Sequence, residues 1–173
     1  RLVLAHSEGK LTMLDAKSRP QAINPEITGE IVGLERLGKQ LVVVTEAGEL
    51  QRVNPGKPLR LTKVEGPILA SDSDGQRLVL AGKHKLIVWT GAKNREFQTG
   101  FDLVDLRLTG DLVTGTDATG NFYRYDLSEG RLSDRLVGHR DYISDLAFTP
   151  DGQALVSISL DGHMVWWDQT GHE

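Results

Sequence analysis

The amino-acid sequence predicts an all-β fold built from a repeated unit of short strands. The first observation is a Leu-Val dipeptide that recurs at intervals of roughly 38 residues. Its five copies begin at Leu2, Leu41, Leu78, Leu112 and Leu155. The second observation is that each copy is followed by a turn rich in Gly, Asp or Lys and then by another β-rich run. The third is that no window of about 11 residues keeps a helical apolar spacing without an intervening Gly, Pro or Asn.

Each unit contains four strands. The run after each turn is apolar and ends in a small polar residue, and the five runs are residues 11–15, 50–54, 86–90, 122–126 and 164–168. Another strand precedes each Leu-Val hairpin, as in residues 31–35 and 143–148. A polar-flanked strand follows the hairpin, as in residues 58–62 and 131–136. We therefore expect four antiparallel strands in each unit.

Four short strands in every roughly 38 residues are typical of the blades of a β-propeller, in which each twisted sheet packs on its two neighbours. Residues 1–173 are predicted to form a single segment of such blades, a partial ring of about 4 to 5 blades. The predicted units are approximately 1–29 (partial), 30–66, 67–100, 101–139 and 140–173 (partial).

Because the first and last units are incomplete, we expect a fragment of a larger propeller. Self-association through open blade edges is the rival explanation, since an unpaired edge strand is a template for another chain.

Composition excludes several classes of partner and site. The chain has 20 Lys plus Arg and 24 Asp plus Glu, a net charge of -4, so it lacks the basic excess that nucleic acid or an anionic membrane surface would favour. Apolar runs such as residues 41–44 are far shorter than the roughly 18 residues of a membrane helix. No cysteine is present, which excludes disulfides and thiolate metal sites and is compatible with either a cytoplasmic or a periplasmic setting.

The last unit carries a specific set of motifs. It opens with Gly-His at residues 138–139 and has a Pro-Asp-Gly turn at 150–152. It then has an Asp-Gly turn at 161–162 and closes with Trp-Asp at 167–168. In order and spacing this unit resembles a complete WD40 repeat, and the earlier units resemble degenerate repeats of the same family.

The WD40 resemblance implies a buried hydrogen-bond relay that links a loop, a turn and a strand. The four positions that match it are His139, Ser159, Asp161 and Trp167. Buried imidazole, carboxylate and indole groups are costly unless they satisfy one another, so the implied role is structural. The alternative is a hydrolase-like triad made from the same His, Asp and Ser.

We expect no catalytic residue, no cofactor and no metal. The histidines, at positions 6, 84, 139, 163 and 172, have no metal-like spacing. Asp72, Asp74 and Gly75 resemble the opening of a calcium loop, but no closing Glu follows and an ordinary turn is favoured.

Partners of WD40 rings usually dock on the loops that lead into the innermost strands. By this resemblance, and because their residue types often anchor interfaces, we predict four partner-binding residues: Phe101, Arg140, Asp141 and Tyr142. The alternative is that Phe101 packs between blades and Arg140 is only solvated. The three tryptophans, Trp89, Trp166 and Trp167, are predicted to be blade core.

The predicted function is a non-catalytic protein–protein interaction scaffold with an unidentified protein partner. The alternative is the propeller portion of an enzyme or of a periplasmic redox-system accessory protein. In that case Arg107, Lys39 and His6 would line a central channel. Clusters of His, Arg or Glu at equivalent positions of successive units would favour this alternative, and the sequence contains none.

Overall fold

The computed structural model describes residues 2–5, 11–14, 17–24, 27, 29–53, 59–149 and 154–167. All the regular structure in these ranges is β-strand, in 18 strands. The same ranges contain no helix that is long and apolar enough to cross a membrane.

The strands form five antiparallel sheets in chain order. Sheet 1 contains β1 (Leu2–Ala5), β2 (Leu11–Leu14) and β3 (Pro20–Asn24). Sheet 2 contains β4 (Ile31–Leu37), β5 (Gln40–Thr45), β6 (Glu49–Arg52) and β7 (Leu59–Lys63). Sheet 3 contains β8 (Ile68–Ser73), β9 (Leu78–Gly82), β10 (Lys85–Trp89) and β11 (Asn94–Gln98). Sheet 4 contains β12 (Asp105–Thr109), β13 (Leu112–Thr116), β14 (Asn121–Asp126) and β15 (Arg131–Val137). Sheet 5 contains β16 (Ile143–Phe148), β17 (Leu155–Ser159) and β18 (Met164–Trp167).

This architecture confirms the predicted fold class. Within the described ranges, three sheets have four strands and two have three, and each strand pairs with its neighbour in sequence. The sheets are β-propeller blades arranged in an arc that does not close into a ring. That the chain belongs to a larger propeller stays a prediction.

Successive sheets bury apolar side chains between their faces. Leu11 of sheet 1 and Val43 of sheet 2 belong to one buried cluster. A second cluster joins sheets 2 and 3 and includes Leu50 and Ile87. Since side chains alternate between the two faces of a strand, one face of each sheet packs on the preceding sheet and the other on the following sheet.

Aromatic residues dominate the packing around sheet 4. A third cluster joins sheets 3 and 4 and contains Leu86, Phe97 and Tyr125, with the Phe97 and Tyr125 rings edge to face at 5.8 Å. Across the other face of sheet 4, Phe122 stacks on Trp167 of sheet 5, with ring centroids 5.5 Å apart and planes 4° from parallel. Sheet 5 is therefore fixed to the arc by an aromatic stack.

The pairing of the Leu-Val dipeptide with the following run is shifted by one residue in sheet 4. In sheets 3 and 5 its valine pairs with the third residue of the following run, Val79 with Val88 and Val156 with Trp166. In sheet 4 the residue at that place is Thr114, which pairs with Arg124. A shift by one residue exchanges the two faces of a strand, so Thr114 occupies a buried position that is valine in the neighbouring sheets.

Replacing Thr114 by valine is expected to stabilise the protein by about 1 kcal/mol. Among the described residues its buried hydroxyl has no hydrogen-bond partner, and valine keeps the shape without the polar atom. Thr45→Val is the matched control, because the Thr45 hydroxyl accepts a hydrogen bond from the Glu49 N–H at 3.1 Å. The Thr45→Val variant should be about 1 kcal/mol less stable than the wild type. Urea unfolding of both variants measures the two changes in the free energy of unfolding. An equal loss of stability in both variants would contradict the conclusion that the Thr114 hydroxyl has no hydrogen-bond partner.

Candidate functional site: a buried relay beneath an exposed loop

A buried relay of polar side chains lies inside sheet 5. The indole N–H of Trp167 donates to the Ser157 hydroxyl at 2.8 Å. The same hydroxyl lies 2.8 Å from Nε2 of His139, and Nδ1 of His139 lies 3.2 Å from Oδ2 of Asp161. The side chains of Ser157, His139 and Trp167 are almost completely buried.

The hydrogen-bond roles in the relay are mutually consistent. The indole can only donate, so the Ser157 oxygen accepts from Trp167 and its O–H can donate to His139 Nε2. An imidazole with its proton on Nδ1 then donates to the Asp161 carboxylate. With this arrangement every polar side-chain group of the relay has a hydrogen-bond partner, which is the condition for burying these groups.

The serine of the relay is Ser157, and the prediction of Ser159 is wrong. Ser159 Oγ instead accepts from the Asp161 N–H at 3.1 Å and donates to the Asp141 carbonyl at 3.0 Å. The hairpin register explains the difference. Ser157 pairs with Val165, which makes Trp167 its diagonal neighbour on the same face, whereas Ser159 lies nearer the turn.

Asp161 connects the relay to the loop that enters sheet 5. Its Oδ2 also accepts from the Arg140 backbone N–H at 2.8 Å, and its Oδ1 accepts from the His163 backbone N–H at 2.9 Å. The Arg140 N–H is the largest influence on this carboxyl, and with the His163 N–H and the His139 side chain it holds the pKa of Asp161 well below its usual range. The carboxylate is therefore a stable acceptor for the loop backbone.

The backbone of the entry loop, residues 138–142, is held at three successive residues. In addition to the Arg140 N–H, the Asp141 carbonyl accepts from Ser159 Oγ and the Tyr142 carbonyl accepts from the Leu160 N–H at 3.0 Å. Gly120 of the preceding sheet has φ of +88°, and a Cβ at this position would collide with the Asp141 carbonyl. The loop is thus seated on the turns of two sheets.

The side chains of residues 140–142 in this loop face solvent. Three predicted partner-binding residues, Arg140, Asp141 and Tyr142, are exposed, and Tyr142 exposes 38% of its surface. Leu160, on the adjoining turn, is 69% exposed and adds an apolar side chain that the sequence analysis did not single out. Its backbone contact with Tyr142 places it beside the loop.

Phe101 packs as its alternative prediction stated, whereas Trp166 occupies a different environment from the one predicted. Phe101 stacks on Tyr123 with ring centroids 4.1 Å apart and planes 12° from parallel, so it is a packing residue and not a free interface anchor. Trp89 and Trp167 are buried as predicted, but Trp166 is 56% exposed. Trp166 alternates with Trp167 along β18 and therefore lies on the face of sheet 5 that is turned away from sheet 4.

Sheet 4 stabilises its corresponding hairpin turn with a carboxylate that the sequence analysis assigned no role. Asp117 accepts hydrogen bonds from Thr119 and from both the backbone and the side chain of Asn121, and it also accepts from the Tyr123 hydroxyl at 2.8 Å. Burial by itself would raise the pKa of Asp117, but these donors outweigh it and lower the pKa to about 2.

The acidic residues that resembled a calcium loop serve ordinary structural contacts. Asp74 accepts from the backbone N–H groups of Gln76 and Arg77 and pairs with the Arg77 guanidinium at 2.9 Å. Asp72 accepts from the Leu108 N–H of the next sheet at 2.7 Å. Among the described residues there is no group of three His, Cys, Asp or Glu side chains able to hold a metal ion. His6 lies outside the described residues.

The sheets define the class of protein as a β-propeller segment, and the last described sheet resembles a blade of the WD40 kind. No protein-family model matches the chain. It is 27% identical to rat Coronin-7 over an alignment of 191 positions, which covers 94% of this chain and 21% of that protein. It is 26% identical to mouse Coronin-7 over an alignment of 187 positions, which covers 92% of this chain and 20% of that protein.

A shorter match, 34% identical over 64 residues and covering 37% of this chain, is to bovine Coronin-7. The chain spans about a fifth of the length of the rat and mouse relatives. Among solved structures, the computationally designed Ika8 protein matches with a TM-score of 0.74 and 19% identity, over 96% of this chain and 54% of that one. This last likeness supports the fold alone.

Removing the Ser157 hydroxyl is expected to cost about 1–3 kcal/mol of stability. The Ser157→Ala variant leaves His139 Nε2 and the Trp167 N–H buried without a partner. Ser159→Ala, two residues away on the same strand, should cost less than about 1 kcal/mol, because water can replace a partly exposed hydroxyl. Urea unfolding measures the free energy of unfolding of both variants. A larger loss for Ser159→Ala would contradict the relay described above.

Asp117 is expected to stabilise the fold in a pH-dependent way. Its pKa in the folded state lies below the ordinary 3.8, so its contribution is present above about pH 4 and is lost as the pH falls toward 2. The difference in unfolding free energy between wild type and Asp117→Asn should therefore be constant from neutral pH to about pH 5 and shrink below it. Urea unfolding at pH 7, 4 and 2.5 measures this. Glu129→Gln, in an exposed turn, is the control, and a difference independent of pH would refute the prediction.

Proposed function

We propose that the chain is a non-catalytic protein-interaction scaffold, and that its partner docks on the loop surface formed by Arg140, Asp141, Tyr142 and Leu160. The observation that carries the proposal is the combination of a fixed backbone with exposed side chains. Interface residues that are already ordered lose less conformational entropy on binding. Tyr and Arg are also the residue types that most often dominate binding energy.

The relay supports a structural role and not a catalytic one. A nucleophile needs contact with substrate, but the Ser157 hydroxyl is fully buried and is already shared by His139 and Trp167. The oxygens of Asp161 are engaged by loop and turn backbone. The distant similarity to Coronin-7 and the blade architecture agree with an interaction module.

The proposal is tested by comparing partner capture with wild type and with two side-chain variants, Arg140→Ala and Tyr142→Ala. Both preserve the backbone hydrogen bonds of the loop, because the N–H of residue 140 and the carbonyl of residue 142 make them. A protein that binds wild type should bind Tyr142→Ala at least about tenfold more weakly. The affinity of the purified partner is measured by titration calorimetry.

Leu59→Ala is the control, since Leu59 is an exposed leucine on β7 of sheet 2. Circular dichroism of all variants confirms that they are folded. Binding that is unchanged in both loop variants and weakened in Leu59→Ala would overturn the proposed docking surface. Substrate turnover by the wild-type protein that is lost in Ser157→Ala would overturn the non-catalytic assignment.

A further inference from the structure

A cleft of about 460 Å³ lies between sheets 2 and 3. We call it the sheet 2–3 cleft, and the lining residues that matter below are Leu37, Gln40, Arg52, Leu61, Gln76 and Trp89. Its turns follow β4 and β8, whereas the entry loop of residues 138–142 precedes β16, so the cleft and the entry loop lie at opposite ends of the strands. The volume of the cleft falls in the range of about 300–1,000 Å³ that is usual for ligand sites.

The walls of the sheet 2–3 cleft are fixed in place. Trp89 belongs to the buried apolar cluster that joins sheets 2 and 3, and Leu37 and Leu61 pack against that cluster. The Ser73 hydroxyl of β8 donates to the Arg36 carbonyl of β4 at 2.7 Å, which ties the two first strands together beside the cleft. A ligand therefore meets a surface that is already formed, and this lowers the entropic cost of binding.

The turn after the first strand carries a different side chain in sheet 2 than in sheet 3. In sheet 3 the residue before the Leu-Val dipeptide is Arg77. Its guanidinium donates to Asp111 and to the Gly110 carbonyl in the turn of sheet 4, both at 2.6 Å. Sheet 2 has Gln40 at the equivalent position, and Gln40 lines the cleft. An arginine thus spans the turns of sheets 3 and 4, whereas a neutral side chain stands at this place in the sheet 2–3 cleft.

Arg52 gives the sheet 2–3 cleft a positive charge. Of the described residues that line the cleft, Arg52 is the one with a charged side chain. Arg52 and Arg124 of sheet 4 occupy the same place, the third, in the run after the hairpin turn. Arg124 pairs across its sheet with Asp134, whose carboxylate lies 4.0 Å from the guanidinium, whereas Arg52 pairs with Leu59. Sheet 2 therefore has an apolar residue where sheet 4 supplies a carboxylate.

The lining of the cleft indicates the chemistry of its ligand. A guanidinium matches the geometry of a carboxylate, and the leucine and tryptophan side chains match a large apolar group. Gln40 and Gln76 are exposed, so one side of the cleft is open to solvent. An open cleft of this size accommodates one or two side chains of a longer chain and leaves the rest of that chain outside.

We propose that the sheet 2–3 cleft binds a segment of a partner protein in which a large apolar residue lies next to Asp or Glu. The apolar side chain contacts Leu37, Leu61 and Trp89, and the carboxylate pairs with the Arg52 guanidinium. Charge complementarity to Arg52 selects the acidic neighbour. This docking site is separate from the loop surface of residues 140–142, and it does not rest on the proposed function.

Fluorescence polarisation with labelled heptapeptides tests the ligand chemistry. The acidic probe, Gly-Ser-Glu-Phe-Glu-Ser-Gly, has a carboxylate on both sides of a phenylalanine. Replacing both Glu by Gln, or Phe by Ala, should weaken binding to the protein at least about tenfold, since each change removes one of the two contacts. Free 3-phenylpropionate should compete at least about tenfold more weakly than the unlabelled acidic probe, because it lacks the contacts of the peptide with the rim.

Two substitutions test the position of the bound peptide. Arg52→Gln should weaken binding of the acidic probe at least about tenfold and leave that of the Gln-containing peptide unchanged, because the carboxylate is what pairs with Arg52. Arg131→Gln removes the same charge from an exposed position on β15 and is the matched control. Gln76→Glu places a negative charge on the exposed rim and should also weaken binding of the acidic probe. Circular dichroism shows whether each variant is folded.

Nuclear magnetic resonance locates the peptide on the protein. Three glycines line the cleft, and their backbone amide signals report on it: Gly38, Gly75 and Gly91. These signals should shift when the acidic probe is added, and the signals of residues 140–142 should not. Tyr142→Ala should bind the acidic probe like the wild type, so a failure of the cleft is distinguishable from a failure of the loop surface.

Four outcomes would overturn the proposal. If the acidic probe does not bind at millimolar concentration, or if the Gln-containing peptide binds equally well, the cleft does not recognise this pair of groups. Equal effects of Arg52→Gln and Arg131→Gln would show that Arg52 does not contact the carboxylate. Shifts confined to residues 140–142 would place the peptide on the loop surface and leave the proposed function intact. Competition by 3-phenylpropionate as strong as by the acidic probe would identify the ligand as a small organic acid and not a protein segment.

Discussion

Each sheet of this protein has two apolar faces, and no sheet can cover both by itself. Burial of these faces against neighbours is the constraint on which the rest of the structure depends, since apolar surface removed from water contributes about 25 cal/mol per Å². It orders the sheets along the chain, as shown by the shared clusters that join sheets 2 to 3 and 3 to 4. It also explains why β10 and β14 carry large buried side chains, such as Leu86, Phe122 and Tyr125.

Two groups of polar side chains are buried inside this stack because their members are paired with one another. Sheet 5 buries a serine and a histidine because Trp167 and Asp161 complete their hydrogen bonds. Sheet 4 pairs a polar group in a different way. The Tyr123 hydroxyl donates to Asp117, and the Tyr123 ring stacks on Phe101. Both arrangements tie a hairpin turn to the strands beside it. Thr114 shows the opposite case, in which a register shift places a hydroxyl where neighbouring sheets have valine.

The sequence was sufficient to predict the fold because the period of its turns is a local property of the chain. For His139, Asp161 and Trp167 the prediction came from the resemblance of the last unit to a WD40 repeat, and these three residues do lie in the relay. It could not separate Ser157 from Ser159, because both lie on one face of β17 and only the pairing register distinguishes them. Nor could composition distinguish Trp166 from the buried Trp167, since exposure depends on whether another sheet covers that face.

The loop of residues 140–142 is physically linked to β18 through sheet 5. The relay binds the Arg140 N–H to Asp161, and through His139 and Ser157 it reaches Trp167 on β18. The opposite side of that strand carries Met164 and Trp166, which are exposed. Because these hydrogen bonds run from the loop through the turn to β18, the ordered form of the loop depends on the position of that strand. By thermodynamic linkage, a partner bound to the ordered loop would also stabilise the position of β18.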